Sequence, residues 1–433
     1  MSFVTKCIGL AKKAKHRFED QIKARTPVYL STVRRIERVA TGERMVAMTF
    51  DDGPCRLPAN PDRFGGKPLT LVLAETLEKY HAKGTFDVIG DTAGNYPDTA
   101  GKESSAAWGG IAFDHYPDFQ KDSEGGVAHC PELIDRLLAG GHQLTSHTWQ
   151  HILWGRKNIV YGKRHHLNSL EEVVEDLQIM DRTLKEKWNY SVTMSRPPHY
   201  VDQIPGGFTS YDAYTLMNYQ YLAAGFDGAG WLPLASYEAE VEATWKPMAQ
   251  LLEKDPDALC GQIIFQKDGF NMARRSPVAD GLEKQLELLT RYGYKVVTVE
   301  ELLAHSAFAD TLPTPAQNAR ACMEAGWCVA FQDNTLRLET VLTKEALIQM
   351  AYGKEGAARR IELIRQGQKN ASHPYSGALA IAAERIGLAG DRSPATQADL
   401  RRVLTDRCPH APEVLPEGPI THGEFFTLLQ ELL

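Results

Sequence analysis

Short apolar runs alternate with amphipathic stretches from Met45 to about Leu303. The runs at 45–50, 85–89, 142–146, 191–195, 219–226, 261–266 and 294–299 predict strands. The stretches at 69–80, 131–139, 170–188, 239–253 and 278–292 predict helices, and Gly293 closes the last as a helix stop. Strands and helices in alternation predict an α/β layer or barrel. Residues 1–40 read as a helical lead-in. A Pro-bracketed change of composition at Thr311-Leu312-Pro313-Thr314-Pro315-Ala316 separates a central domain, 41–309, from a helical accessory domain, 311–433.

Two polar stretches interrupt the alternation. Residues 91–129 are rich in Gly, Asp and Ser and follow a strand end, which places them beside the face where α/β folds keep their chemistry. Residues 152–169 carry a basic cluster of Lys163, Arg164, His165 and His166. It reads as a solvated loop or as a contact for an anionic substrate. Near the C-terminus, Thr343, Thr396 and Thr421 each precede an apolar helical stretch with an acid in its first turn. A threonine N-cap accounts for that spacing.

Composition narrows the function. A chain of 433 residues predicts two or three domains, and 43% apolar content is ordinary for a soluble globular protein. The net charge of −7 leaves no basic surplus to neutralise phosphates, which excludes a general nucleic-acid binder. No apolar segment is long enough to span a bilayer. The apolar patch Cys7–Ala11 precedes Lys12, Lys13 and Lys15, the reverse of a secretory signal, so the sequence alone reads as cytoplasmic. The seven cysteines are scattered, odd in number and without C-x-x-C spacing. That argues against a disulfide framework or a structural zinc ribbon.

The chemistry concentrates where the apolar run 45–50 ends in Asp51-Asp52-Gly53-Pro54. Neighbouring strand residues point opposite ways, so two adjacent acids share a site only where the backbone turns. Gly53 and Pro54 predict that turn. Further on, His147-Thr148-Trp149-Gln150-His151 brings two imidazoles to one face if the segment is helical. One carboxylate and two imidazoles form a common ligand set for a catalytic divalent metal, leaving the second carboxylate as a base.

These motifs resemble those of the NodB-like polysaccharide deacetylases, carbohydrate esterase family 4, over Thr49 to about Leu303. The resemblance implies a distorted (β/α) barrel followed by the helical accessory domain. It implies Asp51 as catalytic base and Asp52, His147 and His151 as metal ligands. The metal implied is zinc first, with cobalt, nickel or manganese as alternatives. Arg196-Pro197-Pro198 matches the start of the third motif, so Arg196 is expected to hold Asp51 ionised. His199 stands where the family has a tyrosine whose main-chain N–H stabilises the oxyanion.

The fourth and fifth motifs depart from the family. Trp231 is present as a groove wall, but Gly230 stands where an aspartate is expected. Phe265-Gln266-Lys267-Asp268 aligns with the stretch that carries the general-acid histidine, so Lys267 takes that place. Asp227 is the alternative partner for Lys267 on the groove wall, and Phe265 lines the groove. The activity implied is removal of N-acetyl groups from the amino sugars of peptidoglycan or a chitin-like glycan. Lys267 or a water molecule would serve as proton donor. Two alternatives stay open: a glycan-binding pseudoenzyme, and a hydrolase of a small non-peptide C–N substrate. The C-terminal repeats weakly resemble S-layer homology modules, with Lys344, Gln397 or His422 in the arginine place. That resemblance implies a cell-wall polymer as partner and an envelope address.

Overall fold

The structure is a computed structural model, and it describes residues 28–91, 124–155, 166–231, 233–271, 273–352, 359, 361–362, 365–366, 374–408, 415 and 417–433. Most of the expected lead-in (1–27), most of the polar stretch 91–129, and Lys163, Arg164 and His165 lie outside these residues. Within 28–40 the chain is extended, and Arg35–Ile36 forms the first strand of the main sheet, β1. Val33, Ile36 and Val39 recur every third residue and so mimic a helix, but each is buried. β-branched side chains suit a pleated, covered surface.

The other strands of this sheet are β2 (Met45–Asp51), β3 (Thr85–Val88), β4 (Gln143–Ser146), β5 (Met194–Ser195), β6 (Gln220–Leu222), β7 (Phe226–Asp227), β8 (Ile263–Lys267) and β9 (Lys295–Val297). Their order is β1-β6-β5-β4-β3-β2-β8-β7, with β9 pairing the N-terminal half of β2. Every pair is parallel. This is the expected distorted barrel, a curled sheet with helices around it. The apolar run 219–226 divides into β6 and β7 at Gly225. A Cβ on Gly225 would collide with the Gln262 side chain, so the chain passes too close there for a larger residue.

The face of each residue follows from its parity. Along β2, Val46, Met48 and Phe50 point outward into the large core. That core also holds apolar residues of α1 (Leu69–Lys79), α2 (Pro131–Ala139), α3 (Leu170–Trp188), α4 (Ser210–Met217), α5 (Tyr237–Lys254) and α6 (Pro277–Arg291). Met45 and Ala47 point inward and join Met194, Leu222, Ile263 and Val297 in a separate apolar floor. Val299 and Leu302 of α7 (Val299–His305) complete that floor. Thr49 and Asp51 continue the inward series toward the C-terminal end of β2. The barrel interior therefore passes from an apolar floor to a charged mouth. A strand buried on both faces reads as an unbroken apolar run, which is why 45–50 is so legible.

The C-terminal part contains α8 (Gln317–Glu324), α9 (Lys344–Tyr352), α10 (Pro374–Ile386), α11 (Gln397–Arg407) and α12 (His422–Glu431). Trp327, Leu347, Leu400, Leu404 and Phe425 form its core. The capping reading of the threonines holds. Thr396 with Asp399 and Thr421 with Glu424 are reciprocal capping boxes, and Thr343 Oγ1 accepts from Ala346 N at 3.1 Å. The segment before β1 joins this part to the barrel: Ser31 N donates to Ala330 O at 3.0 Å and Arg35 N to Gln332 O at 2.7 Å. Leu30 is buried in the C-terminal core itself. Among the described residues no helix is long and apolar enough to cross a membrane.

Candidate active site

The mouth is built from strand register. Lys267 on β8 and Asp87 on β3 flank Asp51 on β2, and Thr145 on β4 pairs with Asp87. Residues in register on parallel strands share a face, so the four line one row across the inner surface. Asp52 follows with φ 76, in the left-handed region. That reversal lets two consecutive acids serve one site, as the Gly-Pro turn predicts. Gly53 then allows Asp268 to approach, since a Cβ there would overlap the Asp268 carboxyl. Asp268 accepts from Thr70 Oγ1 at 2.7 Å, and burial pushes its pKa up to about 7.

Arg196 is fully buried and reaches Asp51 with Nη1. Its other two nitrogens bond as well: Nη2 to Thr49 Oγ1 and to Ala223 O, both at 3.1 Å, and Nε to Leu222 O at 3.3 Å. The rings of Phe265 and Tyr200 lie 5.7 and 5.6 Å from its guanidinium carbon. Arg196, expected to hold Asp51 ionised, does favour its charged form. Burial raises the Asp51 carboxyl to about 6, and Arg196 and His147 oppose that rise without cancelling it.

His147 and His151 do meet, with ring centroids 4.9 Å apart, but not on a helix. Thr148 has φ 74 and His151 φ 53, so the segment is a tight loop that folds both imidazoles inward. Backbone in this region is costly for non-glycine residues and has to be held in place. Asp176, on the buried face of α3, holds it: Oδ2 accepts from Trp149 N at 2.8 Å and Oδ1 from Gln150 N at 3.2 Å. Asp52 Oδ1 lies 3.3 Å from His147 Nε2 and 3.2 Å from His151 Nε2. On its other side, His147 Nδ1 lies 2.9 Å from Arg196 O and 3.1 Å from Asp87 Oδ2. Burial opposes protonation of His147, but Asp52, Asp87 and Asp51 raise its pKa well above the ordinary value.

Asp87 and Asp176 escape a reading by motif. Asp87 is an acid at the end of a predicted strand, and only register brings it beside Asp51. Asp176 is an acid on the apolar face of a helix, among Val173, Leu177 and Met180. That misplaced charge is the signal that could have found it.

Lys267 is buried, and its ammonium donates to Asp52 Oδ2. Asp227 and Trp231 stand at the exposed rim, where Trp231 Nε1 donates to Asp227 Oδ2 at 3.1 Å and Ala229 N donates to Asp227 Oδ1 at 2.8 Å. Gly230 has φ 89, and a Cβ there would meet Val278 Cγ2 at 2.5 Å. An aspartate at that position would be strained in this backbone and would displace the Val278 side chain. His199 has φ 53 and its ring lies 5.4 Å from that of His151.

The donor set fits a divalent cation. Asp52, His147 and His151 are all buried and each offers one ligand atom within 4.8 Å of the others. The imidazole Nε2 atoms converge on one carboxylate oxygen, and His147 is backed by a carboxylate as metal-bound imidazoles usually are. Asp51, Asp87 and His147 form an overlapping group, also within 4.8 Å.

Residues 38–201 match the family model described as polysaccharide deacetylase. The chain is 24% identical over 269 residues to the peptidoglycan-N-acetylglucosamine deacetylase of Bacillus cereus, covering 62% of this chain and 92% of that protein. It is 23% identical over 294 residues to the Bacillus subtilis peptidoglycan-N-acetylmuramic acid deacetylase PdaC. That match covers 67% of this chain, which spans 45% of PdaC. A solved chitin deacetylase from the fungal pathogen Colletotrichum lindemuthianum aligns with a TM-score of 0.41 at 17% identity, covering 67% of this chain and 95% of that one. By these matches, residues 38–201 are similar to the polysaccharide deacetylases.

Proposed function

We propose that this protein is a metal-dependent N-deacetylase acting on the amino sugars of peptidoglycan or a chitin-like glycan. The convergence of Asp52, His147 and His151 beside the Asp51–Arg196 pair carries this reading. Those three residues would hold the cation, with zinc preferred and cobalt, nickel or manganese as alternatives. When bound, a divalent cation supplies Lewis acidity to an acyl oxygen and to the attacking water. Asp51 takes the proton of that water; its carboxyl, raised to about 6, accepts a proton more readily than an ordinary aspartate does, and as the C–N bond breaks the leaving amine takes a proton from Lys267 or a water molecule. Arg196 fixes the carboxylate in place through Asp51 Oδ1. The main-chain N–H of His199 is assigned to the developing oxyanion. Phe265, Trp231 and Asp227 are assigned to the sugar groove.

The relatives named as peptidoglycan deacetylases support peptidoglycan as substrate. A wall polymer is the proposed partner of the C-terminal helices. The motivation is that Arg385, Arg401 and Arg402 lie together along an open surface groove, with Ile386, Ala398 and Thr405.

The Lys267–Asp52 pair favours a second reading, a glycan-binding protein that keeps the site without turnover. Acetate release from chitin oligomers and peptidoglycan fragments, with His147→Ala as control, separates the two. Release that depends on His147 supports the deacetylase. Retained binding to the same fragments with no release at any metal loading sinks it in favour of the binding protein.

A further inference from the structure

Both acids of the Asp51-Asp52 pair have a basic side chain of their own. Asp51 has Arg196, and Asp52 has Lys267, whose side chain is 7% exposed. Lys267 enters from the end of β8, directly beside Asp51 in register, yet its ammonium goes to Asp52 Oδ2. The other oxygen of the same carboxylate faces both imidazoles. Gly269 packs over the pair, since a Cβ there would lie 3.4 Å from Lys267 Cε and 3.7 Å from Asp52 Cβ. Asp52 thus sits between a fixed ammonium and the point where the three ligands converge.

Two effects follow from elementary electrostatics. A buried carboxylate with a partner avoids the penalty of an unpaired buried charge, so the ligands stay assembled without a metal. A unit positive charge on that carboxylate also repels a dication and weakens the ligand.

We propose that Lys267 is an internal counter-ion for Asp52 that competes with the metal, keeping the site assembled when metal-free and lowering its affinity for a divalent cation. This rests on the metal-site reading above. It concerns what Lys267 does to metal binding, whether or not the protein turns over a glycan.

The test is zinc affinity of the full-length chain, stripped of metal and titrated against a competing chromophoric chelator. Lys267→Met and Lys267→Gln remove the charge, and Lys267→Arg keeps it. With the repelling charge gone, the neutral variants should bind zinc at least about tenfold tighter than wild type. Lys267→Arg should stay close to wild type. The metal-free neutral variants should melt at lower temperature than wild type and recover with zinc. Equal or weaker zinc affinity in a folded neutral variant, with binding still abolished by His147→Ala, overturns the counter-ion role and leaves the metal site standing. Zinc binding that survives His147→Ala in every background overturns the metal site itself. Misfolding of both neutral variants even when refolded with zinc also overturns the proposal, because zinc should replace the missing charge.

Discussion

Lys267 stands opposite Asp51 in strand register but bonds Asp52, the next residue along the chain. The left-handed turn at Asp52 makes this geometry available, because it swings the second carboxylate back toward the same mouth. The acid pair therefore serves two separate charge partners; three predictions depend on how those charges and their supports are arranged, and a fourth concerns the C-terminal core.

The ligand assignment predicts that His147→Ala and His151→Ala each lose the bound metal. Each removes one of three convergent donors. Metal content of the purified variants, measured by elemental analysis against wild type, checks it. Unchanged stoichiometry in both would refute the assignment.

Asp51→Asn should keep the metal and lose about 10²-fold or more in turnover, the usual weight of a general base. The amide still accepts from Arg196 but cannot take a proton. Acetate release and metal content measured on the same preparation are the check, and wild-type release would remove Asp51 from the mechanism.

Asp176→Ala leaves the main-chain donors of Trp149 and Gln150 without their carboxylate. Two buried or half-buried donors deprived of an acceptor should cost about 1–3 kcal/mol of stability. Metal affinity should also fall, by about tenfold or more, because the loop sets both imidazoles. Denaturant melts and zinc titration of the variant read the two effects separately. An effect on stability without one on affinity would mean that Asp176 only supports the fold.

His422 supplies a pH test away from the barrel. Burial, with Arg337 adding to it, lowers its pKa to about 4, and its ring stacks on Phe331 at 5.5 Å. An unfolded histidine titrates near its ordinary value, so between about 6.5 and about 4 the unfolded chain binds more protons than the folded one. The stability held by the neutral ring is complete above that window and is lost as pH falls through it. Its size is on the order of 3 kcal/mol. His422→Phe should flatten this part of the melting-temperature profile between pH 7 and pH 4.5. A profile parallel to wild type would show that His422 does not contribute to acid sensitivity.

Much of the barrel is legible from the pattern alone. The segments 45–50, 85–89, 142–146 and 261–266 become β2, β3, β4 and β8; 45–50 is legible as an unbroken apolar run covered on both faces, whereas β3 and β4 carry polar residues toward the mouth. The helices 131–139 and 170–188 recur at the same bounds, since one buried stripe imposes a 3.6-residue period. The proposed metal ligands are also local signals. Two acids at a strand end and two histidines four residues apart lie on short stretches of chain, so their spacing constrains their geometry.

What tertiary structure decided lies between elements. Register sets Asp87 and Lys267 on either side of Asp51, across 36 and 216 residues of chain. The Asp176 brace, the non-helical path from His147 to His151 and the choice of Asp52 over Asp51 by Lys267 all depend on how β4, α3 and β8 are brought together. The sequence by itself determined which side chains each element carries and which way they face, because strand and helix periods are properties of a single segment. It could not determine which charges would meet. Pairing in a buried site depends on distances between segments, and those exist only once the sheet has closed around its apolar floor.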